Sequence, residues 1–236
     1  MGDKRGKLIV IEGNDSSGKE TQTKRLIERL NSEGHLCEGM SFPQYETPTG
    51  RVIGQCYLGK TRKEWSGDSN WFGHADSLDP MVAFLFYAAD RRFALPKING
   101  ILNSERHLIM DRYVPSNMAH QGGKVEPRER YKVVNSIERL EYDILELPRP
   151  NAVVFLYMPF EVAIELRKSR EESADGHESN LNHLRGSEET YLWISSRYNW
   201  TRINCASDRT MKSLRTKEDI GEEVYSNVIK VINQKY

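Results

Sequence analysis

The sequence has no hydrophobic run of membrane length: over 236 residues the longest uncharged apolar stretch, Met81 to Ala89, is nine residues, against the roughly 20 that a spanning helix needs. It has no excess of charge, since Lys+Arg 34 balances Asp+Glu 34 at pI ≈ 7.0, so no global field draws it to nucleic acid or to an anionic lipid surface. Any anion it binds must be held by a local site. Cysteine is scarce. Cys37, Cys56 and Cys205 are odd in number, far apart and free of any Cys-x-x-Cys, which excludes a disulfide framework or a zinc site and reads as buried thiols. The opening Met1-Gly2-Asp3-Lys4-Arg5-Gly6 lacks the hydrophobic region of a secretory signal and has Gly where a myristoylation motif wants Ser or Thr. A cytoplasmic protein with no membrane or nucleic-acid partner is the expectation. No Pro/Gly/Ser linker, repeat or low-complexity tract divides the chain. With 38% hydrophobic residues and a mean hydropathy of −0.67 it reads as one globular domain over 1–236, at the polar end of the range.

What is present is an alternation of short apolar runs with segments of helical period. Strand candidates are Leu8–Glu12, Leu36–Ser41, His107–Asp111, Ala152–Tyr157 and Trp200–Cys205. Between them Thr23, Leu26, Ile27 and Leu30 recur at helical spacing, as do Ile220, Val224, Val228 and Ile232 in a closing helix that Thr216 is placed to cap. The pattern predicts an α/β fold, a five-stranded parallel sheet with helices on both faces. Two polar segments interrupt it: 60–77, which carries Trp65, Trp71, Phe72 and His74, and 167–180, dense in charge of both signs. Each has the composition of a surface loop.

Directly after the first strand comes Gly13-Asn14-Asp15-Ser16-Ser17-Gly18-Lys19-Glu20-Thr21, which fits Gly-x4-Gly-Lys between a strand and a periodic helix. The glycines let successive N–H groups turn inward onto phosphate oxygens, the helix N-terminus adds its positive dipole end, and Lys19 adds a point charge. This is the pattern of a P-loop, a phosphate-binding loop. Its departure is Glu20, where a Ser or Thr normally gives a hydroxyl to Mg²⁺. Glu20 is a candidate ligand in its place, with Thr21 or water as the alternatives.

The third strand candidate ends in Asp111-Arg112-Tyr113, at the sheet edge where open α/β proteins bind ligands. Asp111 suits Mg²⁺, and the planar fork of Arg112 suits a phosphate.

Taken together, Ile11-Glu12-Gly13-x-Asp15-x-x-Gly18-Lys19-x-Thr21-Gln22, Phe42-Pro43, Ala88-Ala89-Asp90-Arg91 and Asp111-Arg112-Tyr113-x-x-Ser116-Asn117-x-Ala119-x-Gln121 resemble the thymidylate kinase family in type, order and spacing. Leu140-Glu141, Leu147-Pro148-x-Pro150 and Asp175-x-x-Glu178 agree, so the resemblance runs over nearly the whole chain.

The resemblance implies transfer of the γ-phosphoryl group of ATP to dTMP, with Mg²⁺, in a homodimer whose contact includes the helices around Asp79–Phe93 and Glu126–Glu146. It implies that Asp15 accepts the sugar 3′-hydroxyl, that Phe42 and Pro43 line the deoxyribose, and that Tyr87 stacks on the thymine. Arg91 donates to a thymine carbonyl, Asn117 accepts from the ring N–H, and Gln121 belongs to the substrate-binding block. His120 either excludes a 2′-hydroxyl or is a packed turn histidine. With no arginine in the P-loop, a mobile lid at 167–180 must supply the cation that meets the transferred phosphate, Arg170 first and then Arg167. Gln44 and Tyr45 stand where the family has an acceptor-phosphate arginine, which leaves Arg112 alone unless Arg51 reaches back. The rival readings are a kinase of another nucleoside monophosphate such as dUMP, and a catalytically weak nucleotide-binding protein.

Overall fold

Strand register and side-chain alternation build the fold from its centre outward. In the computed structural model, which describes residues 5–169 and 181–234, β1 (Leu8–Gly13) is buried along its whole length. It pairs in parallel with β3 (His107–Asp111) on one side and β4 (Ala152–Tyr157) on the other. β2 (Cys37–Ser41) and β5 (Thr201–Asn204) complete a five-stranded parallel sheet of order β2-β3-β1-β4-β5. The expected fold class is thus observed, with ends trimmed: Leu36, Trp200 and Cys205 fall outside their strands.

Because side chains alternate along a strand, each central strand feeds two cores. Leu8, Val10, Leu108, Met110, Val153 and Phe155 point to one face, where they meet α3 (Pro80–Asn103), α4 (Val114–Gly122), α5 (Pro127–Glu138) and α7 (Leu181–Arg197). Ile9, Ile11, Ile109, Val154 and Leu156 point to the other, against α1 (Lys19–Ser32), α6 (Phe160–Ser169) and α8 (Lys217–Asn233). Each such side chain contributes about 1.5–3 kcal/mol by leaving water. The predicted cap on α8 is present: Asp219 N–H donates to Thr216 Oγ1 at 3.1 Å.

A third, smaller cluster of Ile53, Tyr57, Leu58, Ala75 and Ala83 lies beside the sheet. It is built where the short helix α2 (Pro48–Arg51) runs into a π-helical turn, Val52–Tyr57, and it anchors the 60–77 segment. That segment is not simply a solvated loop. Gln55 Nε2 donates to the carbonyls of Ser66, Gly67 and Asp68 at 3.0–3.1 Å, and Arg51 donates to Ser66 O at 2.8 Å. Among the described residues, no helix is long and apolar enough to cross a membrane.

Candidate active site

The C-terminal ends of β1, β3 and β4 put the phosphate-binding loop and the Asp111-Arg112 pair on one edge of the sheet. The loop needs glycine at two points for different reasons. Gly18 has φ +82°, in the left-handed region where only glycine is unstrained. A Cβ on Gly13 would come within 2.5 Å of Ser17 Oγ and 2.6 Å of Leu156 O. Lys19 folds back to donate to Asn14 O at 2.7 Å. Burial, reinforced by the nearby Arg112 charge, brings its ammonium down to about 8 against the pull of Asp15, Asp111 and Glu12.

The loop is braced from behind by Glu12, which is fully buried. Its carboxylate accepts from Tyr113 N–H (2.9 Å), Ser116 N–H (3.1 Å), Ser116 Oγ (2.6 Å) and the Tyr191 hydroxyl (2.9 Å). Burial still raises its pKa, because the four donors and the Arg112 charge recover only part of the lost hydration.

Arg112 adopts φ +65°, a left-handed conformation that costs a non-glycine residue about 1–2 kcal/mol. The strained backbone accompanies a guanidinium that pairs with Asp15 and also approaches Ser116 Oγ at 3.3 Å and His120 Nε2 at 3.2 Å. Burial would raise the Asp15 carboxyl, but Arg112 and Lys19 outweigh it and hold it well below the usual carboxylate range.

Next to this pair opens a cleft of about 590 Å³, its mouth included, between α3, α4 and the Phe42-Pro43 turn. Asp15, Phe42, Pro43, Tyr87, Arg91, Arg112, Asn117 and His120 all line it, so eight predicted positions from four separate segments converge. The Phe42-Pro43 peptide is cis. Asp90 secures the chain just beyond that turn, accepting from Gln44 N–H at 2.8 Å and from the Thr47 and Thr49 hydroxyls at 3.1 and 2.9 Å.

At the back of the cleft Arg91 and Glu141, 2% and 0% exposed, form a two-pronged ion pair. Asn117 Nδ2 donates to Glu141 Oε1 (2.9 Å) and to Phe84 O (3.1 Å). Both are acceptors, which fixes the amide orientation and leaves the buried Asn117 Oδ1 with no hydrogen-bond partner. Tyr87 stands half-buried at the cleft, edge-on to Tyr57 at 5.9 Å.

Three expectations come out differently. Gln121 does not line the cleft; it is fully buried in the packing of α4, with both amide atoms lacking partners. Arg51 does not reach back, because its guanidinium is used by Gln55 Oε1 (2.9 Å) and Ser66 O. Glu20 is exposed and pairs with Lys24 one helical turn on, at 2.6 Å. Asp111 Oδ1, by contrast, is buried without a hydrogen-bond partner at the sheet edge. Arg167 lines a second, smaller cleft over the phosphate loop with Asn14, Asp15, Ser16, Phe160 and Leu184, whereas Arg170 lies outside the described residues.

Residues not assigned a role from sequence include Glu12, His183 and Tyr191. Glu12 carried a signal, a carboxylate ending an apolar strand that had to be buried; His183 carried none.

This geometry can be set beside known proteins. The family model for thymidylate kinase matches residues 11–216. The chain belongs to the thymidylate kinase family. Among its relatives, human thymidylate kinase is 32% identical over 178 residues, covering 75% of this chain and 70% of that protein. The thymidylate kinase of Prochlorococcus marinus is 28% identical over 98% of this chain and 100% of its own. In fold, the solved thymidylate kinase of Candida albicans superposes with a TM-score of 0.67 at 23% identity, over 96% of this chain and 92% of that one. As a member of the thymidylate kinase family the chain is an ATP-dependent nucleoside monophosphate kinase that phosphorylates dTMP.

Proposed function

We propose that the cleft between α3 and α4 holds dTMP and that the loop at 13–21 holds the triphosphate of ATP, the two meeting at Asp15, Lys19 and Arg112. The observation that carries this assignment is the unpartnered, buried Asn117 Oδ1, an acceptor held beside the cationic Arg91. A thymine edge offers the matching N–H between two carbonyls; the cytosine edge presents the opposite pattern at two of three positions. Tyr87 supplies a ring face for the base.

The acceptor phosphate is already ionised at neutral pH, so no general base is needed. An acceptor oxygen attacks the γ-phosphorus, its bond to the β,γ-bridging oxygen breaks, and that oxygen leaves on ADP. The protein contributes alignment and charge. Arg112 faces the acceptor phosphate, and Lys19 the outer phosphates of ATP. Arg167 on α6, beside the phosphate loop, supplies the third cation, with Arg170 as the further lid candidate.

Mg²⁺ fits one donor here: Asp111, whose buried Oδ1 lacks a partner. Among the described residues no cluster of three or more His, Cys, Asp or Glu side chains could hold a metal, and Glu20 is taken by Lys24. The ion would rest on Asp111, water and phosphate oxygens, and would supply charge neutralisation. The exposed Met81, Val82, Leu85 and Phe93 of α3 support pairing with a second copy, and the three buried free thiols fit a reducing cytoplasm.

The test is kcat/KM with ATP and Mg²⁺ across dTMP, dUMP, UMP, dCMP and dGMP. A clear lead for dTMP over dCMP is expected from the Asn117 and Arg91 pair, with dUMP behind dTMP by no more than about 10- to 200-fold, since a methyl group is worth only about 1–3 kcal/mol. ATP binding without turnover of any acceptor would reject the reading.

A further inference from the structure

A pair of imidazoles beside Arg112 is left unused by these assignments. His120 Nδ1 lies 3.2 Å from His183 Nε2, the rings stack at 5.4 Å and 18°, and His120 meets the Tyr191 ring edge-on at 6.0 Å. His183, from α7, is 4% exposed, while His120 lines the acceptor cleft. The tautomers follow from Arg112. A guanidinium only donates, so His120 Nε2, 3.2 Å from Arg112 Nη1, must accept. Neutral His120 then carries its proton on Nδ1 and donates it to His183 Nε2.

Among the described residues, each guanidinium of the acceptor cleft is matched by a carboxylate. Arg91 of α3 is neutralised by Glu141, and Arg112 by Asp15. Lys19 of α1 is turned onto the phosphate loop, Glu12 of β1 is enclosed by its four donors, Tyr191 of α7 is one of them, and Arg167 of α6 lies over the loop. The guanidinia lining the acceptor cleft therefore offer no net positive charge, yet a phosphate monoester is a dianion at neutral pH.

We propose that the His120–His183 pair takes up a proton from solvent when the acceptor phosphate binds, so that His120 becomes a second cation for that dianion. The proton adds at His120 Nε2, the atom that accepts from Arg112 in this state. That hydrogen bond breaks, and both Arg112 Nη1 and His120 Nε2 are left to donate to phosphate oxygens. His120 Nδ1 keeps its bond to His183 Nε2, which makes His183 the positioning residue that steadies the imidazolium. The pair thus does the work for which Gln44 and Tyr45 provide no charge. The inference rests on the assignment of the cleft to dTMP.

Calorimetry of the full chain at about pH 7.5, in buffers of different ionisation enthalpy, tests it directly, with dTMP compared against thymidine. Net proton uptake is expected with dTMP and none with thymidine. In kinetics, the KM for dTMP should rise with pH by up to about tenfold per unit over the range where the free pair is deprotonated and the bound pair is still protonated, and level off above it, while kcat changes less. His120→Gln, which still accepts from Arg112 but cannot ionise, should abolish the proton uptake. His183→Gln, which still accepts from Nδ1–H, should keep it, and His183→Phe should weaken it. Binding of dTMP without buffer dependence in the unaltered protein overturns the proton switch and leaves the acceptor site standing; absence of dTMP binding overturns both.

Discussion

Glu141 Oε1 accepts from Asn117 Nδ2 at 2.9 Å while the same carboxylate grips Arg91 with both oxygens, so one buried acid orients the two side chains proposed to read the base. Its two contacts can be broken separately. Glu141→Gln leaves Arg91 uncompensated at 2% exposure, and a buried unpaired charge costs about 3–5 kcal/mol, read as a lowered melting temperature. Asn117→Ala keeps the ion pair, so stability should fall by about 1–2 kcal/mol. Its kcat/KM for dTMP should fall on the order of 10²-fold or more as the base loses its acceptor. An unchanged dTMP over dCMP ratio in Asn117→Ala would remove Asn117 from base recognition.

Lys19 gives the donor site a pH dependence. Its ammonium ionises at about 8 in the empty site, below the ordinary lysine value, because it is buried beside Arg112. Bound phosphates restore its charge preference. Above about pH 8, kcat/KM for ATP should therefore decline while kcat at saturating ATP stays level further up. Lys19→Met should remove the inflection along with most activity. Parallel decline of both parameters from the same pH would assign it to another group.

Tyr191 donates its hydroxyl to the buried Glu12 carboxylate at 2.9 Å, and the sign of its contribution to stability is fixed by the direction of the Glu12 shift. Burial raises the folded pKa above 4.5, so between that value and the folded pKa the native state binds more protons than the unfolded chain, and stability falls as pH rises through the window. Tyr191→Phe removes a donor to the ionised form and pushes the pKa higher still. The loss, about 1–3 kcal/mol, should be larger near pH 8 than near pH 5. Denaturant midpoints at the two values measure it, and an equal loss at both would show that the hydroxyl does not act through Glu12.

Much of this was legible in the sequence, for reasons that differ by residue. The strands were readable because residues such as Leu8, Ile9, Val10 and Ile11 are buried on both faces of a parallel sheet and so form unbroken apolar runs. The phosphate loop was readable because glycine spacing, lysine and the strand-to-helix context specify one backbone shape. Residues whose roles depend on distant partners were not. Gln121 sits four residues after Asn117 yet turns into the packing, and Arg51 is spent on Ser66, fifteen residues away, through a contact that no local pattern encodes. His183 meets His120 only because α4 packs on α7.

Arg167, in the last turn of α6, lines the small cleft with Ser16, and it is a candidate to meet the transferred phosphate. Arginines in that position act on charge present only in the transition state. Arg167→Ala should lower kcat on the order of 10²- to 10³-fold with little change in KM for dTMP. Arg167→Lys should recover only part, since a point charge replaces a planar fork. A rise in KM alone would place Arg167 in ground-state binding.

The 60–77 segment is held to the acceptor side chiefly by Gln55, whose amide serves Ser66, Gly67 and Asp68 while its backbone carbonyl accepts from Asn70 N–H at 2.8 Å. Trp65 packs close over Gly54, where an added Cβ would meet its ring at 2.6 Å, and Tyr45 and Leu58 carry that layer to the edge of the cleft. Gln55→Leu preserves bulk at a position 4% exposed but strands the three carbonyls, at a cost of about 1–3 kcal/mol confined to this layer. Cleavage by trypsin after Lys60, Arg62 or Lys63 should accelerate. The KM for dTMP should rise several-fold as the wall of the cleft loosens, with kcat near its original value, because the phosphate loop and Arg112 belong to other elements. If trypsin cleavage accelerates while KM holds, the segment is a separate layer with no part in enclosing the acceptor.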